Sequence, residues 1–310
     1  MKNLILIHGR SWKPPKSDLR KLWLDAIRFG IERDHPDSLD DFKHAKVQFV
    51  YYGDISNDFL KRQGDEQPPQ EKDIKERKKT LKLLKAWHSY QFTKRNYNNL
   101  EGKESFKEGI ADVLSPILKF FNLSEGLIKL AAPDIYEYWR GEESDFGSQV
   151  RARLTNPLKR AFDGNDSVCL IAHSLGSMIS YDTLWKFSYR SEYRPKYNHK
   201  KVDLFLTIGT PLADETVKSG LFGAKLSGPR RYPANIRRWV NFAAEDDYIS
   251  HDSKVANDFK RMKKYGLIDK IVDRHIYNLS LRKGKSNPHH SGGYLIHPKV
   301  TSAIVDWLHN

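Results

Sequence analysis

Short runs of apolar, β-branched residues alternate along this chain with stretches whose apolar positions recur every three or four residues. Six of the runs read as strands, at residues 3–7, 46–52, 167–173, 202–208, 238–243 and 271–279. After the first run, Leu19, Leu22, Trp23, Ala26, Ile27 and Gly30 fall on one face of a helix, as do Val300, Ile304, Trp307 and Leu308 in the last segment. Alternating strand and helix predicts an α/β fold, a mainly parallel sheet of about six strands with helices on both faces.

One interval breaks the rhythm. Residues 54–145 are too many for an ordinary connection and must carry structure of their own. A Pro-Pro pair at Pro68-Pro69 precedes a Lys-rich helical stretch with Ile74, Leu81, Leu84 and Trp87. A second stretch spaces Ile110, Val113, Leu114, Ile117, Leu118 and Phe121 helically, with Pro116 starting or kinking it. The expectation is one domain over residues 1–310 with a helical cap inserted at about 54–145. If the cap covers a site, Ile117, Leu118 and Phe121 either line an acyl pocket or pack the cap against itself.

Composition narrows the class. The chain has 310 residues, 39% of them hydrophobic and 12% aromatic, enough for a substantial core. Cys169 is the only cysteine, which excludes an internal disulfide framework and a cysteine-based zinc site. The formal charge of +14 invites a nucleic-acid reading. Lys and Arg are scattered, however, and no nucleic-acid-binding motif is visible. Between Lys61 and Lys107, Lys and Arg outnumber Asp and Glu thirteen to seven. That excess is either a solvated helix face or a basic lid suited to an anionic substrate or lipid surface. The apolar run at residues 4–7 is too short for a signal-peptide core, and no stretch approaches membrane-spanning length. A cytoplasmic location is the expectation.

The densest chemical signal is Ala172-His173-Ser174-Leu175-Gly176, which follows the apolar residues Val168 to Ile171 and opens a helical pattern at Met178. A serine lifted out of a strand by a tight strand-to-helix turn becomes an accessible nucleophile, and that turn tolerates only small neighbours two residues away. Ala172 and Gly176 meet the requirement. The same turn aims the Leu175 N–H at a reacting carbonyl, with the positive end of the helix dipole beneath it.

A base and an acid should follow on loops past later strands. Asp247, just past the run at residues 238–243, is the preferred acid; Asp246 is the close alternative and Asp214 a weaker one. The polar loop Asn287-Pro288-His289-His290-Ser291-Gly292-Gly293 offers His289 as general base, with His290 as its alternative. His275 lies in a strand, His297 precedes a proline and His199 sits in a Lys-rich connection, so each has a duller explanation. His8-Gly9-Arg10 closes the first strand, where glycine permits close approach and the Arg10 N–H would be a second oxyanion donor beside that of Leu175.

These residues, together with Leu4-Ile5-Leu6-Ile7 and Thr207-Ile208-Gly209-Thr210-Pro211-Leu212, span nearly the whole chain. In them the chain resembles serine hydrolases of the α/β-hydrolase superfamily, the bacterial lipase-like and esterase-like group. Two departures stand out. The sequence starts at the strand preceding the oxyanion loop, without the usual leading hairpin, and the cap comes earlier than in many members, where it follows the sixth strand.

The expected activity is hydrolysis of a carboxylic ester or related acyl compound, a small molecule or a lipid, through an acyl-serine intermediate. The catalytic set is Ser174, Asp247 and His289, with no metal or organic cofactor required. An acyltransferase would use the same triad. A non-catalytic binding module acting through the basic cap is the remaining alternative. Substrate identity and oligomeric state are not encoded in any of these motifs.

Overall fold

A computed structural model describes residues 1–103, 133–139, 144–250 and 254–310. The second helical stretch expected at residues 110–121, with Ile117, Leu118 and Phe121, lies outside these described residues.

The fold is α/β. Six strands, β1 (Lys2–Ile7), β2 (Lys46–Val50), β3 (Ser167–His173), β4 (Val202–Ile208), β5 (Ile236–Ala244) and β6 (Lys270–Ile276), form one sheet in the order β2-β1-β3-β4-β5-β6. Every neighbouring pair is parallel. The strands end earlier than expected at two places: β2 stops at Val50 rather than residue 52, and β6 at Ile276 rather than residue 279.

The two-residue period of a strand sorts its side chains onto opposite faces. Ile5 and Ile7 join one buried cluster with Leu170 and Phe205, whereas Leu4 and Leu6 join another with Ile171 and Leu206. Each face is covered by helices. The first carries α5 (Asp145–Asp163), through Val150, Leu154 and Leu158, and α6 (Leu175–Tyr189), through Met178 and Ile179. The second carries α1 (Lys16–Asp34), through Trp23 and Ile27, and α8 (Pro298–His309), through Val300 and Ile304. Strands buried on both sides explain the near-continuous apolar runs in the sequence.

The helices described along the long interval include α2 (Gly53–Arg62), α3 (Gln70–Lys85) and α4 (Pro133–Trp139), with short helical turns at Ser89–Gln91 and Lys94–Asn98 following α3. The Lys-rich α3 buries Leu81 and Leu84 in the second cluster and turns its lysines outward, and Trp87 falls beyond its end. A last short helix, α7 (Ser291–Leu295), precedes α8. No described helix is long and apolar enough to cross a membrane.

The strand order sets where a ligand can enter. From β1 the chain steps outward to β2, then returns to β3 on the other side of β1, so the crevice between the carboxyl ends of β1 and β3 is the topological switch point. The β1–β3 register pairs Ile7 with Ala172, which brings His8-Gly9 beside His173-Ser174.

Candidate active site

Ser174 sits between β3 and α6 with φ 54° and ψ −127°, a backbone region that costs a non-glycine residue on the order of 1–3 kcal/mol. The sheet and helix hold it there. Its N–H donates to the Ile208 carbonyl at 3.2 Å, and its own carbonyl accepts from the Ser177 N–H at 2.9 Å and the Ser177 hydroxyl at 2.6 Å. Space is as tight as the sequence predicts. A Cβ on Gly176 would stand 2.5 Å from the His8 carbonyl oxygen, and one on Gly9 would stand 2.7 Å from Ser174 Cβ.

Past β4, β5 and β6, three loops converge next to this turn. His289 Nδ1 lies 3.0 Å from both Oδ1 and Oδ2 of Asp247, and its carbonyl accepts from His173 Nε2 at 2.9 Å. The rings of His173 and His289 are 4.6 Å apart. Asp247 is 2% exposed. Burial alone would push its carboxyl up. The His289 charge and the hydrogen bonds from His289, the Tyr294 hydroxyl (2.6 Å) and the Ile249 N–H (3.1 Å) outweigh burial and hold it below its ordinary value. A buried carboxylate facing Nδ1 leaves Nε2 of His289 for proton transfer.

The neighbouring candidates are placed differently. Asp246 lies in a left-handed turn (φ 57°), half exposed, accepting from the Tyr97 hydroxyl at 3.1 Å. His290 caps α7 by accepting the Gly292 N–H at Nδ1, 3.2 Å away, and burial pushes its pKa well down. Asp214 caps a short helix through the N–H groups of Thr216 and Val217. His297 caps α8 and His275 pairs with Glu245 at 2.7 Å.

The loop after β1 is pinned by a neutral histidine. His8 Nε2 accepts the Tyr52 N–H at 3.1 Å, so Nδ1 carries the proton and donates to the Gly9 carbonyl at 2.8 Å. Burial, then the Lys13 charge, keeps the ring well below its ordinary pKa. The Leu175 N–H is the first of α6 and so lacks an intrahelical acceptor. Among the described residues the Arg10 N–H makes no hydrogen bond either. Among the described residues, the N–H groups next in sequence to Gly9 and Ser174 are thus both without a hydrogen-bond partner.

Tyr294 was not singled out by its sequence. Its hydroxyl donates to Asp247 and accepts the Ala244 N–H at 2.9 Å, and only its place in the short helix that follows the His289 loop hinted at such a role. An open groove of about 740 Å³ lies elsewhere, on the outer edge of β2 beside Lys16, Arg20, Arg153 and Arg160, and none of the Ser174 cluster lines it. Among the described residues no group of three His, Cys, Asp or Glu side chains comes together as a metal site.

No family model, curated protein or solved structure matches this chain.

Proposed function

We propose that this chain is a serine hydrolase with an α/β-hydrolase core, cleaving a carboxylic ester or related acyl substrate. The observation that carries the reading is the strained Ser174 at the end of β3, whose neighbour His173 packs its ring 4.6 Å from that of His289, the histidine whose Nδ1 faces the buried carboxylate of Asp247. A strained non-glycine backbone is retained only where its surroundings impose it, and such positions concentrate at reactive residues.

In this mechanism Ser174 Oγ attacks the acyl carbonyl carbon while His289 Nε2 takes its proton. Asp247 stabilises the imidazolium and fixes the ring's orientation. The Leu175 and Arg10 N–H groups receive the negative oxygen of the tetrahedral intermediate. Collapse breaks the ester C–O bond, and His289 returns its proton to the departing alkoxide. Water, deprotonated by the same histidine, then attacks the acyl-serine and frees the acid and Ser174. The single cysteine, Cys169, buried in β3, suits the cytoplasmic setting that belongs to this proposal.

The test is covalent labelling by a fluorophosphonate probe together with turnover of short p-nitrophenyl esters. Wild type should label at Ser174 and turn over. Ser174→Ala should do neither, and full labelling of that variant would overturn the assignment. An added alcohol or amine reads out acyl transfer, since products partitioning to water alone exclude the acyltransferase variant.

A further inference from the structure

The two proposed oxyanion donors stand on different elements. Leu175 is fixed by α6, but Arg10 lies beyond the end of β1, where the sheet no longer holds the chain. Something must set the Arg10 backbone to within a fraction of an ångström for its N–H to meet a developing charge.

The short helix α4 reaches both elements. From its first turn, Asp134, fully buried, accepts Arg10 Nε at 2.9 Å on Oδ1 and 3.2 Å on Oδ2, and the Arg10 terminal nitrogen makes an ion pair with Oδ1 at 2.8 Å. The Ser11 N–H lies 3.4 Å from the same carboxylate, and Ser11 itself is in the left-handed region at φ 75°. The Ile135 N–H, at 3.1 Å, completes the shell. A guanidinium whose Nε reaches both carboxylate oxygens is restrained in direction as well as distance. Lys13 adds to it by donating Nζ to the carbonyls of Arg10 and Ser11.

At its other end α4 holds the helix that carries Leu175. The Tyr138 hydroxyl donates to Asp182 Oδ2 at 2.7 Å, and Asp182 Oδ1 accepts the Phe222 N–H at 2.8 Å. Asp182 is on α6, two turns below Leu175, and both Tyr138 and Asp182 are buried. One seven-residue helix therefore bridges the carriers of both donors, through side chains on successive turns.

We infer that α4 is the brace of the oxyanion hole, with Asp134 a positioning residue that acts through Arg10 and Tyr138 one that acts through Asp182. The inference rests on the serine-hydrolase reading. If the ion pair merely held the fold together, its loss would reduce the folded fraction and leave the chemistry of the folded molecules alone.

The test uses the full chain with Asp134→Asn, Arg10→Lys and Tyr138→Phe. The readouts are kcat and KM on a p-nitrophenyl ester, affinity for phenylboronic acid, and the thermal midpoint. A boronate adduct on Ser174 places an oxygen in the hole, so its affinity reports donor placement. Asp134→Asn and Arg10→Lys should lower kcat by roughly 10–100-fold with KM within about twofold, and weaken boronate binding by a matching factor. Tyr138→Phe should move the same way by a smaller factor, and it removes only one hydroxyl, which keeps the test open if Asp134→Asn does not fold. Wild-type kcat in the folded variants, or a loss equal to the unfolded fraction with boronate affinity unchanged, overturns the brace while leaving the hydrolase reading intact. A wild type that neither turns over esters nor binds the boronate overturns both.

Discussion

The Tyr294 hydroxyl sits 2.6 Å from Asp247 Oδ2, one of the two oxygens that His289 Nδ1 also reaches. Tyr294 is itself locked, fully buried, by the Ala244 N–H at 2.9 Å. The Asp247 carboxylate is thereby held in one orientation by a rigid neighbour. Tyr294→Phe removes that donor and leaves the ring in place. A hydrogen bond to a charged group is worth about 1.5–3 kcal/mol, so kcat should fall by roughly tenfold with KM unchanged. A wild-type kcat would show that Asp247 keeps its orientation without Tyr294.

Adjacent residues with opposite surroundings give a second contrast. Asp247→Asn replaces one acceptor oxygen by a donor opposite His289 Nδ1, and kcat should drop by roughly 10⁴-fold with the fold intact. Asp246→Asn changes a half-exposed turn whose partner is Tyr97, and kcat should stay near wild type. Equal losses in the two variants would refute the assignment.

The histidine pair divides in the same way. His289→Ala should abolish turnover. His290→Ala removes a helix cap and should cost roughly 1 kcal/mol of stability while leaving measurable activity, as a urea midpoint beside a rate assay would show. Full activity in His289→Ala would sink the proposed mechanism.

Much of this was legible in the sequence, because each legible feature is local. The alternation of Leu4 and Leu6 with Ile5 and Ile7 marks a strand buried on both faces without reference to anything distant. The Ala172–Gly176 segment carries its own steric requirement. By contrast, His289 and His290 are indistinguishable in composition. Which one faces Asp247 depends on the loop backbone and on the capping bond that engages His290. Asp134, Tyr138, Asp182 and Tyr294 were not legible at all. Arg10 and Asp134 lie 124 positions apart, and Asp247 and Tyr294 lie 47 apart, so no spacing rule joins them. Asp134 and Tyr138 lie in the interval expected as a cap, and their contacts run to Arg10 and Asp182, 124 and 44 positions away.

Gly9 provides a steric prediction. A Cβ there would meet Ser174 Cβ at 2.7 Å and His173 Nδ1 at 2.9 Å, contacts that no rotamer change of a flexible side chain can relieve. In Gly9→Ala the loop must move away from Ser174 and carry the Arg10 N–H with it. A displacement of that order costs up to about 100-fold in kcat, whereas the melting temperature should shift by only a few degrees. Unchanged kcat would mean that the loop after β1 has no part in turnover.

The last prediction concerns acid. His8, His173, His290 and His297 all have pKa values lowered chiefly by burial, His297 to about 3. For each, the unfolded chain binds a proton below about pH 6.5 that the folded chain refuses, so stability is complete above that pH and is lost as pH falls toward the folded pKa. Asp182 works against them. Burial raises it to about 6, so its contribution is present below about pH 4 and lost as pH rises through 6. Four groups outweigh one, and the net stability should fall steadily from about pH 6.5 downward, each histidine contributing up to about 1.4 kcal/mol per pH unit. His297→Asn isolates one contribution, because asparagine keeps the α8 cap and cannot take up the proton. Urea midpoints at pH 7, 6, 5 and 4 should then decline less steeply than in wild type by about one proton's worth. An identical slope in the two proteins would remove His297 from the acid response.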